Sequence, residues 1–150
     1  MLYLTFKTLH VAAAAVWVGS VVTLLALNVR LQRSFDRAFL RGIAREAEFI
    51  GGRVMGPSAG LTLLAGGAAM WVGHLGFPLW AMWGVGIWLV IVALGAGVIP
   101  RVGRRLASRL DEGAPDGEVR DLQRRIGRYQ WIALLLLGVV VVVMVFKPVP

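Results

Sequence analysis

The chain has 150 residues, of which 58% are hydrophobic, with a formal net charge of +8 and a mean hydropathy of +0.74. It contains no cysteine, which excludes disulfides, thiolate metal sites, c-type haem attachment and cysteine nucleophiles. The arginines flank apolar segments, so the basic charge favours a membrane surface rather than nucleic acid as partner.

The charged residues are confined to two stretches. All arginines and all eight acidic residues lie within positions 30–53 or 101–128, and the other charged side chains are Lys7 and Lys147. A soluble domain distributes charge over every exposed face. Charged blocks that separate long apolar runs are typical of a chain that crosses a bilayer several times.

The apolar runs predict four membrane crossings, each needing about 20 residues in helix. The uncharged run 54–100 is too long for one crossing, and Gly76-Phe77-Pro78 divides it in two. We expect Pro100 to close the second half. Since an open sheet cannot span lipid, we predict an all-α, antiparallel bundle of four transmembrane helices. It forms one domain of residues 1–150, and its spans are about 3–29, 49–73, 79–99 and 129–146.

The orientation follows from the basic residues, because short basic loops stay in the cytoplasm. We expect both arginine-rich connections to face the cytoplasm of a bacterial inner membrane, and both termini and the turn 74–78 to face outward. The first ten residues lack a basic segment followed by a small-residue cleavage site, so we expect no cleaved signal peptide.

Both connections carry helical patterns. In the first, apolar residues recur every four positions opposite a row of arginines, which predicts an interfacial helix or an extension of the spans. In the second, we predict a helix over 101–110, a turn over 111–117 and an apolar stripe that leads into the fourth span. We expect the arginines to act as topology signals and to bind anionic headgroups. The apolar positions are Leu31, Phe35, Phe39, Ile43 and Ala47 in the first block and Val119, Leu122 and Ile126 in the second.

His10 is the principal candidate for chemistry, because an ionisable side chain inside a span is a functional hypothesis by default. It shares a helical face with Lys7 and Trp17, and Ala12 to Ala15 leave room beside it. One interpretation is that His10 is a haem or copper ligand. A neutral imidazole that only packs against a neighbouring helix is the other.

His74 and Met70 lie near the outer end of the second span and are candidate metal ligands beside His10. Imidazole and thioether suit haem iron or copper. Met82 is a further thioether in the same region. Lys7 could meet a haem propionate or a lipid phosphate. Solvation of His74 and simple packing of the methionines are the alternatives.

Glycines at 52, 56 and 60 form a small-residue stripe, which favours close packing within the bundle or in a dimer, or a groove for a macrocycle. No acidic residue lies within a span, which counts against an ion-driven transporter. Paired carboxylates, a phosphate-binding glycine loop and a nucleophilic triad are also missing.

Two segments resemble a known family. Lys7-Thr-Leu-His10, followed by Trp17-Val-Gly19, resembles the first-helix pattern of small bacterial membrane proteins related to the copper-resistance D protein and to HemJ. The segment from Arg53 through Pro57 to Gly66 resembles their second-helix pattern, and Pro100-Arg101 resembles an uncharacterised branch. The resemblance implies a four-helix bundle that holds a b-type haem with His10 as axial ligand. The lysine and histidine of the HemJ third span are missing from residues 79–99, so the resemblance does not carry protoporphyrinogen oxidase activity with it.

The leading hypothesis is therefore a haem b-binding inner-membrane protein with a role in electron transfer or redox sensing. Copper handling or permeation is one alternative, and a non-catalytic subunit or assembly factor of a larger membrane complex is another. The sequence is also compatible with a homo-oligomer. The candidate cofactor-binding residues are Lys7, His10, Trp17 and Arg53, and the candidate metal ligands are His10, Met70 and His74.

Overall fold

A computed structural model describes residues 1–33 and 35–146, and this part of the chain is helical apart from short connections. The predicted all-α class is confirmed, and no strand occurs among the described residues. The α-helices are α1 (Leu2–Arg33), α2 (Arg37–Ile50), α3 (Gly56–Val72), α4 (Leu79–Val92), α5 (Ile99–Asp111) and α6 (Asp116–Phe146).

Two π-helical segments join these helices end to end. Gly51–Met55 connects α2 to α3, and Ala93–Val98 connects α4 to α5. Pro57 and Pro100 each stand in the first turn of the α-helix that follows. Proline has no backbone N–H and its ring clashes with the carbonyl four residues earlier, and a wider π turn relieves that clash. The prediction that Pro100 ends the third span is therefore wrong, because the helix continues past it to Asp111.

Within the described part of the chain, three helical stretches are long and apolar enough to cross a membrane: Leu2–Arg33, Leu79–Asp111 and Asp116–Phe146. The predicted second span, 49–73, is helical as far as Val72 but is not one of the three. Seven of the 17 residues of α3 are glycine, proline, serine or threonine, which contribute little hydropathy. The predicted turn at 76–78 is confirmed, since α3 ends at Val72 and α4 begins at Leu79.

The two charged blocks come together at one end of the molecule. We call this region the charged end: residues 30–33, α2, α5 and residues 116–128 of α6. It has its own core, which includes Leu31, Leu106, Leu110, Val119 and Leu122. The blocks are thus extensions of the long helices, and the apolar stripe predicted at the start of α6 packs into this core.

The apolar face predicted for the first block is confirmed at Leu31, Phe35 and Ile43, which pack in this core, but not at Phe39. Leu40 is buried at 4% exposure, whereas Phe39 is 45% exposed. The helix does not run through from α1, because Phe35 and Asp36 are non-helical. The carboxylate of Asp36 accepts hydrogen bonds from the backbone N–H groups of Ala38 and Phe39, and so starts α2 as a new helix.

Several arginines bind within the charged end itself. Arg37 pairs with Asp116 and donates to the carbonyl of Ala114 at 2.6 Å. Arg41 donates to the carbonyl of Leu110 at 2.7 Å. These carbonyls lie at and just beyond the C-terminus of α5, where the last carbonyls of a helix lack intrahelical partners. The two arginines therefore fasten α2 to the α5–α6 connection.

A second core lies at mid-length, where α1, α3, α4 and α6 meet. Its buried side chains are Trp17, Val21, Ala59, Ile91, Ala133 and Leu137. The indole N–H of Trp88 donates to the carbonyl of Ala59 at 3.1 Å and links α4 to α3. This core separates the charged end from the opposite end, where His10 lies.

Candidate functional site

His10 lies where α1 packs closely against α3. The contact is close because α3 places small side chains at the interface. Ser58, Ala59, Thr62, Ala65 and Ala69 are all buried, and they recur at helical spacing. Small residues let helix backbones approach each other, which brings the backbone of α3 within reach of a side chain on α1.

The imidazole of His10 is held by the α3 backbone. Its Nδ1 lies 2.7 Å from the carbonyl oxygen of Thr62 in a partly buried position. A carbonyl oxygen can only accept, so Nδ1 carries the proton in this hydrogen bond. In the neutral imidazole, Nε2 then keeps its lone pair. The arrangement defines the tautomer and leaves Nε2 as the nitrogen able to ligate a metal.

Gly66 provides the room that the ring needs. A Cβ atom at position 66 would lie 2.8 Å from His10 Nδ1, which is closer than real Cβ contacts allow, and 3.0 Å from its Cε1. Thr62 and Gly66 were not among the site residues that the sequence suggested. Gly66 could have been found, since it ends the second-helix segment Arg53–Gly66 that supported the resemblance.

Two of the other candidates are near His10 in the sequence but have different surroundings. Lys7 is exposed, and its Nζ lies 6.0 Å from the centre of the Tyr3 ring, at the outer limit of a cation–π contact. The Tyr3 ring packs against Gly73 at the end of α3. Trp17 is only 5% exposed and belongs to the mid-length core. Lys7 is therefore accessible, whereas Trp17 packs among apolar side chains.

Arg53 lies away from His10. It is exposed and belongs to the π-helical segment before α3. Thr62, which contacts His10, is nine residues further along, or about 13 Å at ~1.5 Å per residue. Arg53 therefore lies before α3, on the side nearer the charged end.

His74 terminates α3. Its φ of 50° is in the left-handed region. Its N–H donates to the carbonyl of Trp71, and the N–H of Leu75 donates to the carbonyl of Met70. This pair of hydrogen bonds is the Schellman motif, in which glycine is the usual residue at the left-handed position. His74 is exposed, so its observed role is to end a helix.

His74 lies away from His10 along α3. His74 follows Gly66, the neighbour of His10, by eight residues, or roughly 12 Å along a helix. Within residues 1–33 and 35–146, no group of three or more histidine, cysteine or acidic side chains could hold a metal ion. A role for Met70 or His74 as a second ligand stays a prediction.

A family model described as a predicted integral membrane protein, DUF2269, matches residues 4–148. The chain belongs to this family. No curated protein and no solved structure matches the chain. The family description agrees with the apolar helices and gives no activity or cofactor, and the comparisons show no link to the copper-resistance D protein or to HemJ.

This member of the DUF2269 family also has buried polar side chains that sequence reasoning missed. Near the charged end, the Nδ2 of Asn28 donates to Gln130 Oε1 at 3.0 Å, and both residues are buried. Gly127 lies beside them, and a Cβ there would be 3.0 Å from Asn28 Nδ2. Gln123 is 2% exposed, and its amide nitrogen and oxygen have no hydrogen-bond partner among the described residues. The one available signal was an asparagine near the end of an apolar span.

The stripe of Gly52, Gly56 and Gly60 does not form the α1–α3 contact. An added Cβ at Gly52 or Gly60 would meet no atom within 4 Å. The interface uses the row of serine, threonine and alanine on another face of α3 instead. Packing between copies, or against another protein, stays a prediction for the glycine stripe.

Proposed function

We propose that this DUF2269 protein crosses the bacterial inner membrane four times, with the charged end in the cytoplasm. The collection of both arginine-rich blocks at one end of the molecule supports this orientation, because basic loops are retained in the cytoplasm. Both termini and the turn between α3 and α4 then face outward.

Residues 49–72 supply the fourth crossing in this proposal. Tyr3 contacts Gly73 and His10 contacts Thr62, so α3 runs antiparallel to α1 along its length. Low hydropathy is tolerated in a crossing whose neighbour covers part of its surface. Interfaces between membrane helices are enriched in the glycine, alanine, serine and threonine that α3 carries.

We further propose that the protein binds a b-type haem, with His10 as axial ligand. The observation that carries this is the hydrogen bond from His10 Nδ1 to the Thr62 carbonyl, which leaves Nε2 as the coordinating nitrogen. Metal-ligating histidines donate their other N–H to a carbonyl or carboxylate in this way, and the bond orients the ring and raises its basicity. The donor chemistry of His10 therefore fits the group.

The chain's contribution is to hold and orient the ligand. Gly66 and Thr62 hold the His10 ring in one orientation, and Lys7, three residues before it and exposed, is available to a propionate. A bound haem would supply one-electron redox chemistry, whose potential the protein adjusts through the ligand and its hydrogen bond. This supports a role in electron transfer or redox sensing.

The test is the visible absorption spectrum of the protein purified in mild detergent after expression with added haem. We expect a Soret band that is lost in His10→Ala and retained in Gly67→Ala, a change on the same helix pair where an added Cβ would meet nothing within 4 Å. A wild-type protein without the band, or a band unchanged by His10→Ala, would show that the proposal is wrong. Elemental analysis of the same sample distinguishes the copper alternative, which requires metal without porphyrin.

A non-catalytic subunit or assembly factor is a second candidate function, favoured by the outward position of the glycine stripe. Gly52 and Gly60 face no described atom within 4 Å, so a helix of another protein could approach there. This candidate predicts a stoichiometric partner that is lost in Gly60→Leu. Gly138→Leu is the matched control, since an added Cβ at that α6 position also meets nothing within 4 Å.

A further inference from the structure

A groove of about 600 Å³ runs between α1 and α6 next to the charged end. Apolar side chains form most of its walls, among them Val22, Ala26 and Val29 of α1 and Leu134 of α6. Arg30 and Arg33 line the end nearest the charged blocks. The groove is thus apolar along its length and basic at one end.

The length of the groove matches one leaflet of a bilayer. Val22 and Arg33 are eleven residues apart on one continuous helix, which is about 16 Å at ~1.5 Å per residue. The hydrocarbon core of a bilayer is about 30 Å thick, so one leaflet contributes about half of that. The apolar part therefore has the length of an acyl chain segment in one leaflet.

Arg33, at the basic end, has no acidic partner among the residues that line the groove. Arg37, Arg41 and Arg109 form ion pairs within the charged end, whereas none of the ion pairs among the described residues involves Arg33. The groove therefore presents the Arg33 guanidinium where a phosphate would sit at the end of an acyl chain, and guanidinium matches phosphate geometry.

Trp131 marks the level of the membrane interface in the same groove. Its side chain lines the wall contributed by α6 and is 51% exposed. Tryptophan is enriched at the depth of lipid headgroups. Arg128 lies one turn before it on α6, so the apolar-to-basic transition occurs at the same level on α6 as on α1.

We propose that this groove is a binding site for an anionic phospholipid of the cytoplasmic leaflet. One acyl chain lies along Val22, Ala26 and Val29, and the phosphate is bound by Arg30 and Arg33. This rests on the proposed membrane orientation and is independent of haem binding. The sequence predicted only that the fourteen arginines attract anionic headgroups in general. The proposal instead names one site for one lipid.

The experiment measures quenching of Trp131 in vesicles of phosphatidylcholine that contain a minor fraction of brominated lipid. The Trp131 signal is taken as the difference between wild type and Trp131→Phe. Brominated phosphatidylglycerol is compared with the same fraction of brominated phosphatidylcholine. Each basic residue near a membrane surface is worth about fivefold in affinity for an anionic lipid, so we expect a preference for phosphatidylglycerol of roughly fivefold to 25-fold.

Two sets of variants locate the site. Arg30→Gln with Arg33→Gln removes the preference, whereas Arg104→Gln with Arg105→Gln, a matched change at exposed positions of α5, retains it. Ala26→Phe fills the groove while leaving both arginines, and is expected to reduce the preference as well. Retention of the signal in Ala26→Phe would mean that charge alone attracts the lipid.

Other results would overturn the proposal. Equal quenching by both brominated lipids would mean that the groove does not select anionic lipid. Loss of the preference in the Arg104→Gln, Arg105→Gln control would mean that the overall positive charge of the charged end, and not the groove, selects anionic lipid. If a second copy of the chain covered the groove, Trp131 would be shielded from both lipids.

Discussion

The ring of His10 occupies the space that a side chain at position 66 would need. The Cβ of an alanine there would lie 2.8 Å from His10 Nδ1, and that nitrogen is already committed to the Thr62 carbonyl one turn earlier. With His10 on α1, the two helices therefore fit together in this way because position 66 of α3 carries no side chain. The consequence is a histidine with one orientation and one tautomer, inside a region where small residues dominate.

Gly66→Ala is expected to displace the imidazole and to break its hydrogen bond. Overpacking of this kind costs about 1–3 kcal/mol, against a gain of up to about 1 kcal/mol from replacing a helical glycine by alanine. Gly67→Ala is the matched control, because its Cβ would meet nothing within 4 Å. The free energy of unfolding, measured by titration from mild detergent into a denaturing detergent, should fall for the first and not for the second. Equal effects would mean that the ring moves aside without cost.

Gln123→Leu is expected to stabilise the protein by about 1–3 kcal/mol, since it removes a buried amide that has no described partner. Gln130→Leu is the same chemical change seven residues later, but there it leaves the Asn28 amide unpaired. Hydrogen bonds between membrane helices contribute about 0.6–2 kcal/mol, so that variant should be destabilised by a similar amount. The same unfolding titration compares the two. If both lose stability, Gln123 has a hydrogen-bond partner beyond those described.

His74→Gly is expected to raise the thermal unfolding midpoint. The left-handed conformation costs an L residue about 1–2 kcal/mol, and the higher conformational entropy of glycine in the unfolded chain returns part of that gain, so the net effect is up to about 1 kcal/mol. Gly113→Ala makes the reverse change at the C-terminus of α5, where φ is 72°, and should lower the midpoint. A loss of bound haem or metal in His74→Gly would instead identify His74 as a ligand.

Acid is expected to weaken the α5–α6 connection through Glu112. Hydrogen bonds from Arg109 and Ser108 hold the pKa of the Glu112 carboxyl below its usual value of 4.5. Hydrogen bonds to Glu118 and Glu112 likewise raise the pKa of Arg109, which stays charged throughout. A carboxyl with a lowered folded-state pKa stabilises above its unfolded pKa, and this stability is lost as the pH falls through the folded value.

Glu112→Gln should therefore lower the thermal midpoint slightly at neutral pH, where the carboxylate contributes to stability, and match the wild type at pH values well below 4.5, which flattens the dependence of the midpoint on pH. The effect is small, because the carboxylate is half exposed and water and salt screen the pair. Asp121→Asn is the control, since its ion pair with Arg124 is longer, at 3.8 Å, and more exposed. An unchanged pH profile in Glu112→Gln would mean that the pair contributes nothing measurable.

The distribution of charge predicted most of what is local or periodic. An uncharged run of 47 residues that is broken at Gly76 and Pro78 predicts two helices joined by a turn, and the structure has the two helices and the turn. The stripe from Val119 to Ile126 predicts a buried face, and Val119 is fully buried. Pro100 does not end a helix, although a proline usually does. The π-helical segment before it accommodates the proline ring, which would clash with a carbonyl of a regular α-helix.

The sequence by itself determined the helical class, the placement of the turns and the separation of charged from apolar segments, since each depends on residues close together in the chain. Only the tertiary structure decided which backbone His10 meets, that Gly66 leaves space for it, and that Gln123 is buried without a described partner. These contacts join positions far apart in sequence, 52 residues apart for His10 and Thr62, and depend on the rotation of one helix against another. A shift of one residue rotates a helical side chain by about 100°, so hydropathy alone does not specify which side chains meet.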